Sequence, residues 1–402
     1  MTPSWRRCAG AMPASTEALL ARLLQAVEDE LEAAVELRHR LHAAPELAHA
    51  EERTAAAVAE QMPVQCTPAA GTGRIARIGS DAGGAVGVRA ELDGLPVRER
   101  TGARFSAHEG AMHACGHDVH MAALVAFARA AHTLAGELPA PLLAIFQPSE
   151  EAYPSGAEEL ARGELARLAP AAIVAAHIHP ELPWGSVALD AGAVNASCDA
   201  VEITIEGEPS HGAYPHRGRD PILALAQAVV ALHAEVGRRI DPQAPAVLTV
   251  GVLEAGQAEN LIPAQARARA ALRAQRPADR AVLREMVREV VAGVAAAHGC
   301  RGSVSLVEGE PALENDPQIV SRARRLLDAA RLRPAEQWRS CGSDDFAFFG
   351  ELAPLALGFV GLDGAPGFVA RPLHHPELLP PDSAVGAVAS AQAVLYLAAA
   401  TA

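Results

Sequence analysis

The sequence of 402 residues predicts an α/β protein with a second, inserted domain, on the strength of three observations. Short continuous apolar runs bounded by glycine or proline alternate with helical patterns, which is typical of strands buried on both faces of a sheet. Between about residues 196 and 311 the apolar residues instead alternate with polar ones, which indicates strands with one buried face. The length of the chain also exceeds what one ordinary core occupies.

The first part of the chain begins with a predicted amphipathic helix over residues 17–43, ended by Pro45, and a second helix over 51–62. Helical patterns such as 119–135 then separate four apolar runs that we predict to be strands: 85–90, 141–146, 171–176 and 357–361. Strands that alternate with helices imply a mostly parallel sheet flanked by helices.

The inserted part has a different order of elements. A strand, a helix, two strands, a helix and a strand are predicted over 201–206, 220–239, 246–254, 265–274, 279–298 and 303–307. The order β-α-β-β-α-β predicts a ferredoxin-like α+β module. The predicted domains are therefore 1–195 together with 312–402 for the sheet domain, and 196–311 for the insertion.

Composition excludes several classes of function. The net charge is −14 and all 34 basic residues are arginines, which excludes Schiff-base lysines and lysine-dependent P-loops. No basic patch with interleaved aromatic residues is present, so a nucleic acid is not an expected partner. No run of eighteen or more uncharged apolar residues stands out, so no membrane span is expected.

Cellular location is predicted from the N-terminus and the cysteines. No apolar segment follows Arg6 and Arg7, so we expect no secretory signal, with either Met1 or Met12 as the start. The six cysteines are scattered without paired spacing, which favours a reducing cytoplasm over a disulfide framework.

Metal-binding residue types are concentrated in residues 112–120, which hold one cysteine, three histidines and an aspartate. Further carboxylates and imidazoles follow the first three predicted strands at Asp93, Glu150–Glu151 and His177, and a glycine-rich loop leads from the last strand to His374. Each alone has an ordinary explanation, such as a buried cysteine or an acidic first helical turn. Their coincidence at the carboxyl edge of one sheet predicts a ligand site with enough side chains for two metal ions.

The chain resembles the metallo-amidohydrolase family that includes hippurate hydrolase, aminoacylases and the indole-acetyl-amino-acid hydrolases of plants. Motifs in family order carry the resemblance over nearly the whole chain: 38–42, 45–47, 89–96, 113–120, 147–151, 210–216, 259–263, 342–346 and 373–376. Two positions depart from the pattern, Asp344 in place of the usual glutamate and Ala271 in place of the usual glycine. The resemblance implies a zinc-peptidase-like catalytic domain with an inserted domain that acts as a lid and dimerises.

The resemblance also implies the residues of the site. Two divalent ions (Zn, Mn, Co or Ni) would be held by five ligands, with Cys115 as the bridging one: Cys115, His117, Glu151, His177 and His374. Glu150 would be the general base, and His211 would stabilise the oxyanion, from the same subunit or from the partner. Asn260 and Arg273 would bind the α-carboxylate of the substrate, which suits the planar fork of arginine.

Some residues near these motifs have two readings. Asp93 either orients a ligand or closes the turn beside Gly94, and Asp118 either supports the site or caps the following helix. We expect His113 and His120 to lie near the site without binding metal, and His216 to be structural.

The predicted activity is cleavage of N-acyl-amino acids to a carboxylic acid and a free amino acid by a cytoplasmic homodimer. One alternative keeps the site and changes the substrate to a dipeptide or another small amide. A second uses Cys115 as a thiolate nucleophile with His117 as its base, and a third is a non-catalytic metal-binding protein. The lid would close over the site by hinges near Ala196 and Pro311.

Overall fold

The computed structural model describes residues 14–80, 83–108 and 110–401, so both candidate start positions lie outside the described residues. The helices of the described part are α1 (Ala14–Ala43), α2 (Glu52–Gln61), α3 (His117–Thr133), α4 (Gly156–Arg162), α5 (Glu164–Leu168), α6 (Pro221–Arg239), α7 (Pro277–Ala297), α8 (Pro317–Leu326) and α9 (Ser383–Ala400).

The strands of the same part are β1 (Thr67–Ala69), β2 (Gly73–Ile78), β3 (Val86–Glu91), β4 (Leu142–Gln147), β5 (Ala172–Pro183), β6 (Ser186–Ala188), β7 (Gly192–Asn195), β8 (Ser197–Glu206), β9 (Ser210–His211), β10 (Ala246–Ala255), β11 (Leu261–Ile262), β12 (Gln265–Ala274), β13 (Arg301–Glu308), β14 (Leu313–Asn315), β15 (Arg333–Pro334) and β16 (Leu355–Asp363).

The chain divides into two compact units. The first comprises Met1–Gly192, Asn315–Trp338 and Phe348–Ala402, and the second comprises Ala193–Glu314 and Arg339–Ala347. The predicted domain limits, 1–195 with 312–402 for the sheet domain and 196–311 for the insertion, remain a prediction. The short segment 339–347 groups with the second unit, although it follows the predicted insertion in the chain.

An eight-stranded sheet forms the centre of the first unit, in the order β1-β2-β4-β3-β5-β16-β6-β15. The four central strands, β4, β3, β5 and β16, run parallel, and antiparallel strands flank them. Helices α1, α3 and α9 pack against one another, and α9 also packs on β5. The expected α/β fold with a mostly parallel sheet is confirmed.

Helix α9 is apolar on all sides because it lies inside this core. It is long and apolar enough by composition to span a membrane, and 72% of the stretch is buried inside the protein. A helix that is hydrophobic all round is typical of a core position as well as of a membrane.

The prediction that the third strand ends at residue 176 is wrong. Strand β5 continues to Pro183 because β16 pairs with it in parallel register, with Phe359 opposite His177 and Gly361 opposite His179. His177 therefore lies inside a strand rather than after one. Ile178 belongs to the core, so His177 projects from the opposite face of the sheet.

The second unit is built on a four-stranded antiparallel sheet in the order β10-β12-β8-β13. Helices α6 and α7 pack against each other and on this sheet. Order and direction match the predicted ferredoxin-like module. Asp199 near the start of the inner strand β8 is fully buried and accepts hydrogen bonds from Arg280 and Arg284 at 2.6–3.1 Å.

Candidate active site

The first unit brings together the five side chains expected to bind metal. The Sγ atom of Cys115 lies 3.5 Å from Nε2 of His177, and Nε2 of His374 lies 3.2 Å from Oε1 of Glu151. One ligand atom from each of Cys115, His117 and Glu151 lies within 4.8 Å of the other two. Cys115, His117 and Glu151 thus form one cluster, which His177 contacts through Cys115 and His374 contacts through Glu151.

The ring orientation of two histidines leaves one nitrogen of each facing that cluster. His117 donates from Nδ1 to the backbone oxygen of Asp93 at 2.8 Å, and His177 donates from Nδ1 to the oxygen of Ile178 at 2.7 Å. Both Nε2 atoms are then unprotonated acceptors in the neutral tautomer. Within the described residues, the buried Nε2 of His117 has no hydrogen-bond partner, as expected of an atom that binds a cation.

Asp93 connects two of the candidate ligands. Its backbone oxygen holds His117, and its carboxylate accepts a hydrogen bond from the backbone N–H of Glu151 at 2.9 Å. The other carboxylate oxygen lies 3.6 Å from Nδ1 of His117. A turn beside Gly94 alone would not require these contacts, so the geometry favours the reading in which Asp93 orients ligands.

Local backbone geometry explains why glycine precedes His117. Gly116 is the N-cap of α3 and has φ 85°, a left-handed conformation that favours glycine. A Cβ atom there would lie 2.3 Å from Cδ1 of Ile178. Gly116 therefore lets Cys115 and His117 approach β5 closely. The backbone N–H of His374 bonds the oxygen of Ala114 at 2.8 Å, which holds His374 next to Cys115.

The electrostatics of the site fit bound cations. Burial and the carboxylates of Glu151 and Glu150 raise the pKa of the Cys115 thiol well above its usual value. Burial alone would lower the pKa of His117, but the carboxylates of Glu91 and Asp93 raise it to about 10. Without a cation both groups hold their protons, and a metal ion would displace them. Thiolate, imidazole and carboxylate together suit borderline-soft divalent metals.

Glu150 is placed beside the ligands and is 14% exposed, so water can reach it. Its Oε2 lies 3.9 Å from Nε2 of His117. The preceding Ser149 has φ 49°, and its backbone N–H is held at 2.8 Å by the fully buried carboxylate of Glu51. Sequence reasoning missed Glu51, and the signal that could have found it is an acidic residue next to the quoted 45–47 motif.

A second group of buried residues resembles a metal site but is occupied by internal hydrogen bonds. Ligand atoms of Glu91, His117, His120 and His177 lie within 4.8 Å of one another. His120, however, donates to Glu91 at 2.8 Å and accepts from the N–H of Ile178 at 3.0 Å. Because both ring nitrogens form hydrogen bonds, His120 has no free atom to bind a metal ion. This agrees with the expectation that His120 lies near the site without binding metal.

Asp118 does not cap helix α3, because the N-cap is Gly116 and Asp118 lies within the first turn. Its buried carboxylate accepts from Arg38 and from His42, each at 3.0 Å. Burial alone would raise the pKa of Asp118, but His42 and Arg38 lower it below its usual range. Asp118 therefore stays ionised and ties α1 to the start of α3.

The other three predicted residues lie in the second unit. His211 and Asn260 are exposed neighbours, since β9 pairs with β11 and the N–H of Gly212 donates to the oxygen of Asn260 at 2.7 Å. Arg273 on β12 donates to the oxygen of Cys341 at 3.0 Å and to Oγ of Ser343 at 3.5 Å. The quoted 342–346 motif thus lies against the arginine in the same unit.

Comparisons with known proteins identify the family of the chain. The model of Peptidase family M20/M25/M40 matches residues 87–396. N-acetyl-L-cysteine deacetylase of Bacillus subtilis (strain 168) is 32% identical over 355 residues, which cover 87% of this chain and 84% of the relative. N-acetyldiaminopimelate deacetylase of Shouchella clausii (strain KSM-K16) is 33% identical over 317 residues, which cover 78% of this chain and 82% of the relative.

A solved structure extends the comparison to three dimensions. The dinuclear metal-binding peptidase of the M20 family from Bacillus subtilis has a TM-score of 0.81 at 27% identity and covers 92% of this chain and 98% of its own. The predicted metallo-amidohydrolase class and its dinuclear metal centre are confirmed by these matches. The chain belongs to peptidase family M20/M25/M40.

Proposed function

We propose that this protein hydrolyses the amide bond of N-acyl-amino acids, releasing a carboxylic acid and a free amino acid. The observation that carries the proposal is the convergence of Cys115, His117 and Glu151 on one point within 4.8 Å, with Glu150 beside them. His177 and His374 complete the ligand set through their contacts with Cys115 and Glu151.

The two divalent ions, when bound, supply Lewis acidity toward the amide carbonyl and lower the pKa of water. Glu150 takes a proton from the attacking water and delivers it to the leaving amine, as a general base and then a general acid. Its neighbour Glu151 is engaged as a ligand, so the adjacent carboxylates divide the two tasks. Asp93 orients His117 and Glu151 for this chemistry through its hydrogen bonds to both residues.

The residues of the second unit supply substrate recognition in this proposal. His211 stabilises the developing oxyanion, and Asn260 and Arg273 bind the α-carboxylate of the amino-acid portion. Two relatives are named as deacetylases of N-acetyl-L-cysteine and of N-acetyldiaminopimelate. We carry the N-acetyl-amino-acid class over to this chain as the first substrates to test.

The alternative with a Cys115 thiolate nucleophile has less support. Burial and two carboxylates raise the pKa of Cys115, whereas a thiolate nucleophile needs a lowered pKa. A pKa of about 10 also leaves His117 protonated at neutral pH, so it could not act as the base. Dipeptides and other small amides remain alternative substrates for the same metal centre.

We also propose that the protein is a cytoplasmic homodimer that associates through the second unit. Exposed apolar side chains on α6 and on the edge strand β10 support this surface, among them Leu223, Val230 and Leu253. Large apolar side chains left exposed on one unit are candidates for an interface with a second copy. Light scattering of the wild type and of Val230→Arg tests the proposal, since a dimer that uses this surface becomes a monomer in the variant.

The activity is tested by measuring free-amine release from N-acetyl, N-benzoyl and longer N-acyl amino acids, with Zn²⁺ or Mn²⁺ and after chelation. Glu150→Gln should lower turnover roughly 10²–10⁴-fold while two metal ions stay bound. Glu159→Gln, an exposed glutamate on α4, is the matched control and should behave as the wild type. Release that survives chelation, or that survives Glu150→Gln, would contradict the proposed mechanism. Release only from dipeptides would keep the site and change the substrate.

A further inference from the structure

A buried chain of polar contacts lies beneath the candidate metal site and has no part in the chemistry proposed above. It runs from Arg89 and Glu91 on β3 through His120 on α3 to the backbone of Ile178 on β5, and we call these four residues the relay. Each is at most 2% exposed, so its polar groups must be satisfied by the protein itself.

The hydrogen bonds of the relay define the proton positions on His120. Arg89 pairs with Glu91 and also donates from Nε to Gln147 at 2.8 Å, and these contacts hold the side chains of Arg89 and Glu91 in place. Glu91 accepts from Nδ1 of His120 at 2.8 Å. Nε2 of His120 is then the unprotonated acceptor for the N–H of Ile178 at 3.0 Å.

The peptide groups of Ile178 need these partners because the neighbouring strand stops short of them. The pairing of β3 with β5 ends at Arg89 opposite Ala175. Beyond that point the N–H of Ile178 donates to Nε2 of His120, and the C=O of Ile178 accepts a hydrogen bond from Nδ1 of His177 at 2.7 Å. The position of Ile178 thus sets the ring orientation of His177, whose Nε2 faces Cys115.

We propose that His120 is a positioning residue for the metal ligand His177, acting through the backbone of Ile178. The inference rests on the proposed function, because it takes His177 to be a ligand. Removing the imidazole of His120 would leave the buried N–H of Ile178 without its acceptor, which the strand relieves by shifting. Because metal ligands held by a second hydrogen bond typically lose 10–100-fold in metal affinity without it, the expected loss for the His177 metal is of that size.

The test is a titration of the purified apo protein with Zn²⁺ in competition with a chelator of known affinity, which yields the binding constants of both ions. His120→Leu should weaken one of the two constants by roughly 10–100-fold. His120→Gln keeps an acceptor and a donor on a longer arm and should recover part of that loss. Tyr396→Phe is the matched control, because it removes a buried hydrogen bond to the oxygen of Ala140 in the same unit, and that bond involves no residue of the relay.

Each outcome separates the inference from the proposed function. Two unchanged constants in His120→Leu, in a wild type that binds two ions, would overturn the inference and leave the proposed function standing. Equal weakening in His120→Leu and Tyr396→Phe would also overturn it, since general destabilisation would then suffice. If His177→Ala bound both ions as tightly as the wild type, the ligand assignment itself would fail.

Discussion

Replacing Gly116 by alanine tests the close approach of α3 to β5 at the metal site. The left-handed φ of 85° costs an alanine about 1–2 kcal/mol. The new Cβ would lie 2.3 Å from Cδ1 and 2.7 Å from Cγ1 of Ile178, a contact that cannot persist. Such overpacking of a rigid core costs about 1–3 kcal/mol. The two effects together predict a loss of about 2–5 kcal/mol in the free energy of unfolding.

The assay is urea unfolding of the metal-free protein, followed by tryptophan fluorescence. Trp184 and Trp338 both belong to the first unit, so they report its unfolding, and Trp5 is replaced by phenylalanine in every sample. Ile178→Ala removes both atoms that the new Cβ would meet. In a double-mutant cycle with Gly116→Ala, the loss should therefore be smaller than the sum of the single losses.

Two results would refute this reasoning. An unfolding free energy of Gly116→Ala within about 0.5 kcal/mol of the wild type would show that the backbone conformation and the contact are not restrictive, since that is the range of neutral substitutions. Losses that simply add in the double variant would show that the methyl group does not meet Ile178.

Further predictions concern stability, reactivity and substrate binding. Burial alone would raise the pKa of Asp199, but Arg284 and Arg280 lower it to about 2 from 3.8. The carboxylate therefore contributes about 2 kcal/mol above pH 4, and this is lost as the pH falls toward 2. Asp199→Asn should show that deficit in unfolding at pH 7, and the deficit should shrink toward zero at pH 2. Cys115 in the metal-free protein should react with iodoacetamide at pH 8 more slowly than the half-buried Cys341, as mass spectrometry of the peptides can show. Equal rates would speak against its raised pKa. Arg273→Lys should raise KM for N-acetyl amino acids with little change in kcat, because a lysine cannot bind a carboxylate bidentately. An unchanged KM would remove Arg273 from substrate binding.

The sequence was sufficient to predict the layers of the fold and the set of residues that meet at the site. Continuous apolar runs and strict alternation distinguish the two sheets, and both signals come from burial, which is encoded locally. Carboxylates and imidazoles after the strands of a parallel sheet have to meet at one edge. Glu151 follows β4 and lies at that edge, whereas the ligand set that includes Cys115 and His117 came from the family resemblance.

Other features depended on contacts between distant segments. Strand β5 extends past residue 176 because β16 offers a partner for His177 and His179, and no local pattern contains that information. The role of Asp118 depends on Arg38 and His42, 80 and 76 residues away along the chain. The hydrogen-bond directions around His120 likewise require coordinates, since spacing alone cannot separate a metal ligand from a histidine that bonds the backbone.

The interrupted first unit has a consequence for synthesis on the ribosome. Strands β3, β4 and β5 are made before the whole of the segment Ala193–Glu314, whereas β16 and α9, which complete their sheet and cover β5, are made after it. Because domains generally fold as units while the chain emerges, the nearly contiguous second unit can finish first. Until β16 has been synthesised, the backbone N–H and C=O groups along the edge of β5 that later pairs with β16 stay unpaired. Such an unpaired edge favours aggregation. We therefore expect the nascent chain to depend on chaperones during that interval, and the metal ligands of β5 and of the 373–376 motif to meet only at its end.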